Sequence, residues 1–122
     1  MGAQNVKLLF NVVPEAAAYL AGRELESIVK TTIFNCRPDG LCVSGATAGV
    51  AVDPEMLRRA KAAAGHTLVF ANTGCRIDTI GTLLRIADGA VVGTAFKADG
   101  KFENAVDRRR VAQFMEKVKS VR

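Results

Sequence analysis

The sequence predicts an α/β protein built from four strand–helix units, and three observations carry that expectation. Short apolar, β-branched-rich runs begin near Val6, Gly40, Thr67 and Gly89. Segments with apolar residues at helical spacing lie between them, so neighbouring strands are joined by crossovers rather than hairpins and run parallel. Several of these runs end in a small polar turn, and parallel α/β proteins bind ligands at the carboxyl ends of their strands.

The elements follow in order. Val6 to Val13 is apolar and β-branched and stops at Pro14, a first strand. After a loop around Ala16 to Gly22, Leu25, Ile28, Val29, Thr32 and Ile33 mark one face of a helix starting near Arg23. Gly40 to Val43 is a second buried strand, closed by the turn Ser44-Gly45-Ala46-Thr47. Asp53-Pro54-Glu55 is a helix start with a capping aspartate, proline at the first helical position and an acid in the first turn, and Gly65 is its stop. Met56, Leu57, Ala60 and Ala64 give that helix its inward face. Thr67 to Ala71 is the third strand, and Ile77, Ile80, Leu83, Leu84 and Ala87 recur as a third helix. Gly89 to Val92 is the fourth strand. Asp107 caps a last helix whose apolar face is Val111, Phe114, Met115 and Val118, with Lys117, Lys119 and Arg122 at its negative end.

At 122 residues the chain is expected to form one domain, residues 1–122, and its 49% apolar residues suffice for a single core. No apolar run reaches the roughly 18 residues that span a bilayer. The opening residues also lack the pattern of a secretory signal, so a soluble cytoplasmic protein is expected. Cys36, Cys42 and Cys75 are odd in number and lack metal-type spacing, which suits reduced thiols. Neither a metal nor a cofactor is implied.

The net charge of +5 hints at nucleic acid until it is placed along the chain. Residues 1–96 hold nine Lys/Arg against eight Asp/Glu, and residues 97–122 hold eight against four. The excess therefore sits on the last helix, where it reads as a solvated face, with anion or RNA contact the alternative. No aromatic interleaving supports nucleic acid.

The stretch from Thr67 to Lys97 places two turns, Asn72-Thr73-Gly74 and Gly93-Thr94, at the ends of adjacent parallel strands. Consecutive backbone N–H groups at such turns present partial positive charge to an anion, so these five residues are the expected phosphate-binding site. The structural alternative is that tight turns simply need glycine. Asn11, Ser44, Gly45 and Lys97 are further candidate ligand contacts, Lys97 as a source of positive charge. Cys75 follows the turn but has no base beside it in sequence. His66, Asp39 and Asp88 precede strands and so belong to the distant end of the sheet. Asp78 suits helix-dipole compensation, which leaves Asp99 and Glu103 as the carboxylates on the ligand side. No nucleophile–base pair or metal cluster assembles from the sequence.

Val43-Ser-Gly-Ala-Thr-Ala-Gly, Asp53-Pro-Glu-Met-Leu-Arg-Arg, Ala71-Asn-Thr-Gly and above all the run from Ala87 to Val111 resemble the BtpA family of TIM-barrel proteins. The match extends over roughly residues 5–120. Family members are about twice this length. The resemblance therefore implies a half TIM barrel, strands five to eight of a ribulose-phosphate-binding-type barrel, completed by self-association into a homo-oligomer; a flavodoxin-like open parallel sheet is the alternative. It also implies a phosphate site at the ends of the last two strands, for a phosphosugar or nucleotide. After the first strand the family tends to show an Asp-Val-His-Val-Lys-His-like run, where this chain reads Asn11-Val-Val-Pro-Glu-Ala-Ala. Three functions stay open: a phosphosugar isomerase- or lyase-like activity, a non-enzymatic assembly or stability factor such as one for photosystem biogenesis, and an inactive truncated member.

Overall fold

The computed structural model of the chain describes residues 2–14, 17 and 19–122. Strand β1 (Leu9–Val13) starts where Asp39 takes hold of the chain: its carboxylate accepts the Leu8 N–H and the Lys7 ammonium, each at 2.9 Å. The expected start at Val6 is therefore too early, and Val6 and Leu8 are exposed. Within the loop expected around Ala16 to Gly22, Ala16 and Ala18, like Glu15 before it, lie outside the described residues. Helix α1 (Leu25–Cys36) buries Leu25, Ile28 and Val29, and strand β2 (Gly40–Val43) is buried throughout.

Helix α2 (Pro54–Ala63) begins as its residues dictate, with the Asp53 carboxylate accepting the Glu55 N–H at 3.0 Å and proline at its first position. Strand β3 (Leu68–Ala71) is followed by a helix α3 (Ile80–Leu83) of only four residues, much shorter than the apolar spacing suggests. The Thr79 hydroxyl closes its own turn on the backbone of Arg76, and Gly81, a poor helix former, sits where a Cβ would come within 3.3 Å of Val121. Ile77 is accordingly exposed instead of facing inward.

Strand β4 (Gly89–Ala90) is short, and its ladder continues through the Val91 N–H to Ala71 at 2.9 Å. Helix α4 (Arg108–Lys119) carries the Asp107 cap and buries Phe114, whose ring meets Phe96 edge-on at 5.1 Å. Met115, one residue on and about 100° around the helix, is exposed, so the inward stripe is Val111, Phe114 and Val118.

All strand pairs are parallel and the sheet order is β1-β2-β3-β4. A flavodoxin-like sheet instead places its first strand between the second and third. Right-handed crossovers that always step in one direction put every helix on one face. Val12, Leu41, Val43, Val69 and Ala71 accordingly join Ile28, Leu57, Ile80, Leu83 and Phe114 in a single core on that face. The opposite face carries Leu9, Asn11, Cys42, Leu68 and Phe70, and Leu9 and Leu68 remain about half exposed, at 50% and 47%. Phe70 lies across its neighbours there. A Cβ on Gly40 or Gly89 would come within 2.7 or 2.6 Å of its ring, which explains a glycine at the start of both flanking strands. Among the described residues no helix is long and apolar enough to cross a membrane.

Candidate functional site

The carboxyl ends of β1, β2 and β3 are tied together by short polar side chains. The Asn72 N–H extends the ladder to the Val43 carbonyl at 2.8 Å, and its side-chain amide donates to the Ser44 hydroxyl at 2.9 Å and to the Asn11 amide oxygen at 3.3 Å. Ser44 is fully buried. Thr73 adopts φ 59°, a left-handed conformation that a β-branched residue rarely takes. Its hydroxyl holds it there, accepting the Gly45 N–H at 2.7 Å and donating to the Val50 carbonyl at 2.8 Å. A left-handed backbone at such a residue costs about 1–3 kcal/mol, which these two hydrogen bonds offset.

Asn72, Thr73, Gly74, Gly93 and Thr94 line one cavity of about 460 Å³, together with Ala48, Gly49, Cys75, Arg76, Val91, Ala95, Gly100 and Phe102. The glycines are not equivalent. Gly74 has φ 57°, and a Cβ there would strike the backbone of Ala51 at 2.3 Å; one on Gly45 would strike the Val50 carbonyl at 2.2 Å. Both are needed to pack the segment between residues 45 and 51 against the turn. Gly93 differs, because a Cβ there would meet nothing within 4 Å. The backbone N–H groups of Gly74, Cys75, Gly93, Thr94 and Ala95 have no hydrogen-bond partner among the described residues.

Arg76 supplies the positive charge at this cavity, held loosely by Asp78 at 3.8 Å. Its position directly after the Asn-Thr-Gly-Cys turn was the available signal, and sequence reasoning passed over it in favour of Lys97. Lys97 does not line the cavity; its backbone bridges Val106 in the excursion that follows. Asn11, Ser44 and Gly45 do not line it either, and their contacts are with Asn72 and Thr73 behind the wall.

Asp99 and Glu103 are exposed and outside the lining, and His66 is exposed beyond the start of β3. Asp39 and Asp88 act as staples between strand starts. Asp88 accepts the Lys61 ammonium at 2.6 Å and the Val69 N–H at 2.7 Å, as Asp39 accepts Lys7 and Leu8. Hydrogen bonds from Leu8 and then Lys7 hold the Asp39 carboxyl below its ordinary range. At Asp88 burial pushes the value up but is outweighed by the same kind of bonds, so it too is lowered. Burial pushes the Cys75 thiol up to about 11, which keeps it protonated near neutrality. Among the described residues no three His, Cys, Asp or Glu side chains gather as a metal site would require.

The family model described as the BtpA family matches residues 1–120. The chain belongs to the BtpA family. It is 53% identical over its whole length to the putative sgc region protein SgcQ of Escherichia coli (strain K12), covering 46% of that protein. It is 33% identical to the photosystem I biogenesis protein BtpA of Synechocystis, over 93% of this chain and 40% of that one. An uncharacterized protein of Thermococcus kodakarensis is 32% identical over 81% of this chain and 38% of its own length. The chain thus spans under half the length of these curated BtpA-family relatives.

Proposed function

We propose that this chain binds the phosphate group of a small cytoplasmic molecule, a phosphosugar or nucleotide, in the cavity at the ends of β3 and β4. What supports the reading is that Gly74, Cys75 and Gly93 to Ala95, whose amides have no hydrogen-bond partner among the described residues, line one cavity with Arg76. Backbone N–H groups arranged in a concavity recognise an anion, and a nearby guanidinium strengthens that recognition. Gly93 adds support, since its missing side chain leaves room in front of the amides and is not demanded by packing. Isothermal titration with inorganic phosphate and ribose 5-phosphate tests it: binding is expected, and Gly93→Asp should abolish it by bulk and repulsion. Unchanged binding by that variant would overturn the assignment.

The lining contains no carboxylate or imidazole among the described residues, and its one thiol is held protonated. General acid–base chemistry therefore has no obvious agent in this half, and a binding role is favoured over an isomerase or lyase activity. The photosystem I biogenesis role in the name of one relative points the same way, toward an assembly or stability factor.

Four parallel strands in sequential order, with helices on one face only, suit half of a (β/α)8 barrel, and the relatives carry about as much chain again. A second copy of this chain is the proposed occupant of the open face, covering Leu9, Leu68 and Phe70 and pairing the free edges of β1 and β4. Light scattering should give twice the 13.0 kDa of one chain. A monomer at micromolar concentration would overturn it.

A further inference from the structure

We infer that the phosphorylated ligand is a nucleotide, with its base stacked on Phe102. The inference rests on the phosphate reading above and adds the identity of the other end of the ligand. Phe102 is 79% exposed and Val91 44% exposed, and both line the same cavity as the residues of the unpartnered amides. Phe34 is as exposed, at 83%, but Phe102 differs from it in lining the cavity, where its ring offers a flat apolar surface to a ligand.

The excursion is also well tied. Its ends bridge between Lys97 and Val106, the Ala98 N–H donates to the Ala105 carbonyl at 2.9 Å, and the Asn104 side chain donates to the Ala98 carbonyl at 2.9 Å. The Asp107 N–H closes it on Phe96 at 2.8 Å, while Asp99 and Gly100 turn the chain with φ 54° and 65°. Phe102 is thus offered from a braced segment.

The lining divides by chemistry. On the anion side are Asn72, Thr73, Arg76, Thr94 and the free amides; beyond them stand Ala48, Val91 and Phe102. A purine or pyrimidine offers a flat apolar face to the same wall, and base–aromatic stacking is sequence-tolerant and favourable. The volume of about 460 Å³ lies in the range of small-molecule sites.

The test is calorimetric titration of the full chain and of Phe102→Ala and Phe102→Tyr with adenosine 5′-monophosphate, ribose 5-phosphate and inorganic phosphate. The nucleotide should bind about tenfold or more tightly than ribose 5-phosphate. Phe102→Ala should erase that preference while leaving ribose 5-phosphate and inorganic phosphate unchanged, and Phe102→Tyr should keep it. Equal affinity for nucleotide and ribose 5-phosphate, or a preference that survives Phe102→Ala, would overturn the inference and leave the phosphate site standing. Binding of none of the three would overturn both.

Discussion

The side-chain amide of Asn72, at the end of β3, donates to the buried Ser44 hydroxyl at the end of β2, 2.9 Å away. This bond sets the spacing of two strand ends just behind the cavity wall. Ser44→Ala leaves one amide hydrogen of Asn72 without its partner and should destabilise the fold by about 1–2 kcal/mol. Urea unfolding measures the loss, and phosphate affinity should fall severalfold as Asn72 loosens. An unchanged midpoint would show that the bond contributes nothing.

Gly74 and Gly93 should respond very differently to the same change. At Gly74 a methyl group meets backbone at 2.3 Å in a left-handed conformation, so Gly74→Ala should cost at least about 2 kcal/mol. At Gly93 the methyl enters open space, and Gly93→Ala should stay within about 0.5 kcal/mol of the parent. Thermal melts of the pair decide it; similar shifts would contradict the packing described.

Asp88 and Asp39 make stability depend on acid. Their carboxyls are held below the ordinary value of 3.8, so the folded state favours their charged form. That contribution is fully present above pH 3.8 and is lost as the pH falls through the lower folded values. Glu26 behaves alike: its bond with Arg59 lowers it from 4.5 to about 2. Asp88→Asn should cost about 1 kcal/mol at pH 7 and nothing near pH 1, flattening the acid limb of a stability–pH curve. Parallel curves for the two proteins would refute the role.

The three thiols should separate by reactivity. Cys36 is exposed, whereas Cys42 and Cys75 are buried and have their thiol values raised by that burial. Iodoacetamide at pH 8 should add once to the native protein, at Cys36, and three times after denaturation, as read by mass spectrometry. Because the folded Cys75 value lies near 11 against 9.0 ordinarily, its stabilising contribution holds below pH 9 and declines toward pH 11. First modification at Cys75 would mean that the turn opens.

Much of the fold was legible because its signals are local. Asp53-Pro54-Glu55 and Asp107 act on backbone donors two residues away, and both caps form. Apolar, β-branched-rich runs and helical spacing located four strands and four helices in order. Spacing misled where a contact from far along the chain intervened. Ile77 and Met115 have apolar side chains at suitable positions, yet Gly81 against Val121 and Phe114 against Phe96 decide which faces pack. The cavity was legible in outline, since both turns sit at strand ends, but its cation was not. Whether Arg76 or Lys97 reaches it depends on the path of the excursion from Lys97 to Val106, which no short window encodes.

The sequence alone thus determined the succession of elements, the parallel crossovers and the glycine-bearing turns, because each depends on residues a few positions apart. Only the tertiary structure decided that all helices share one face, that Gly45 and Gly74 serve packing while Gly93 fronts open space, and that Arg76 and Phe102 meet at one cavity. Those outcomes are set by contacts between segments distant in the chain, and such contacts exist only once the sheet has brought its strand ends together.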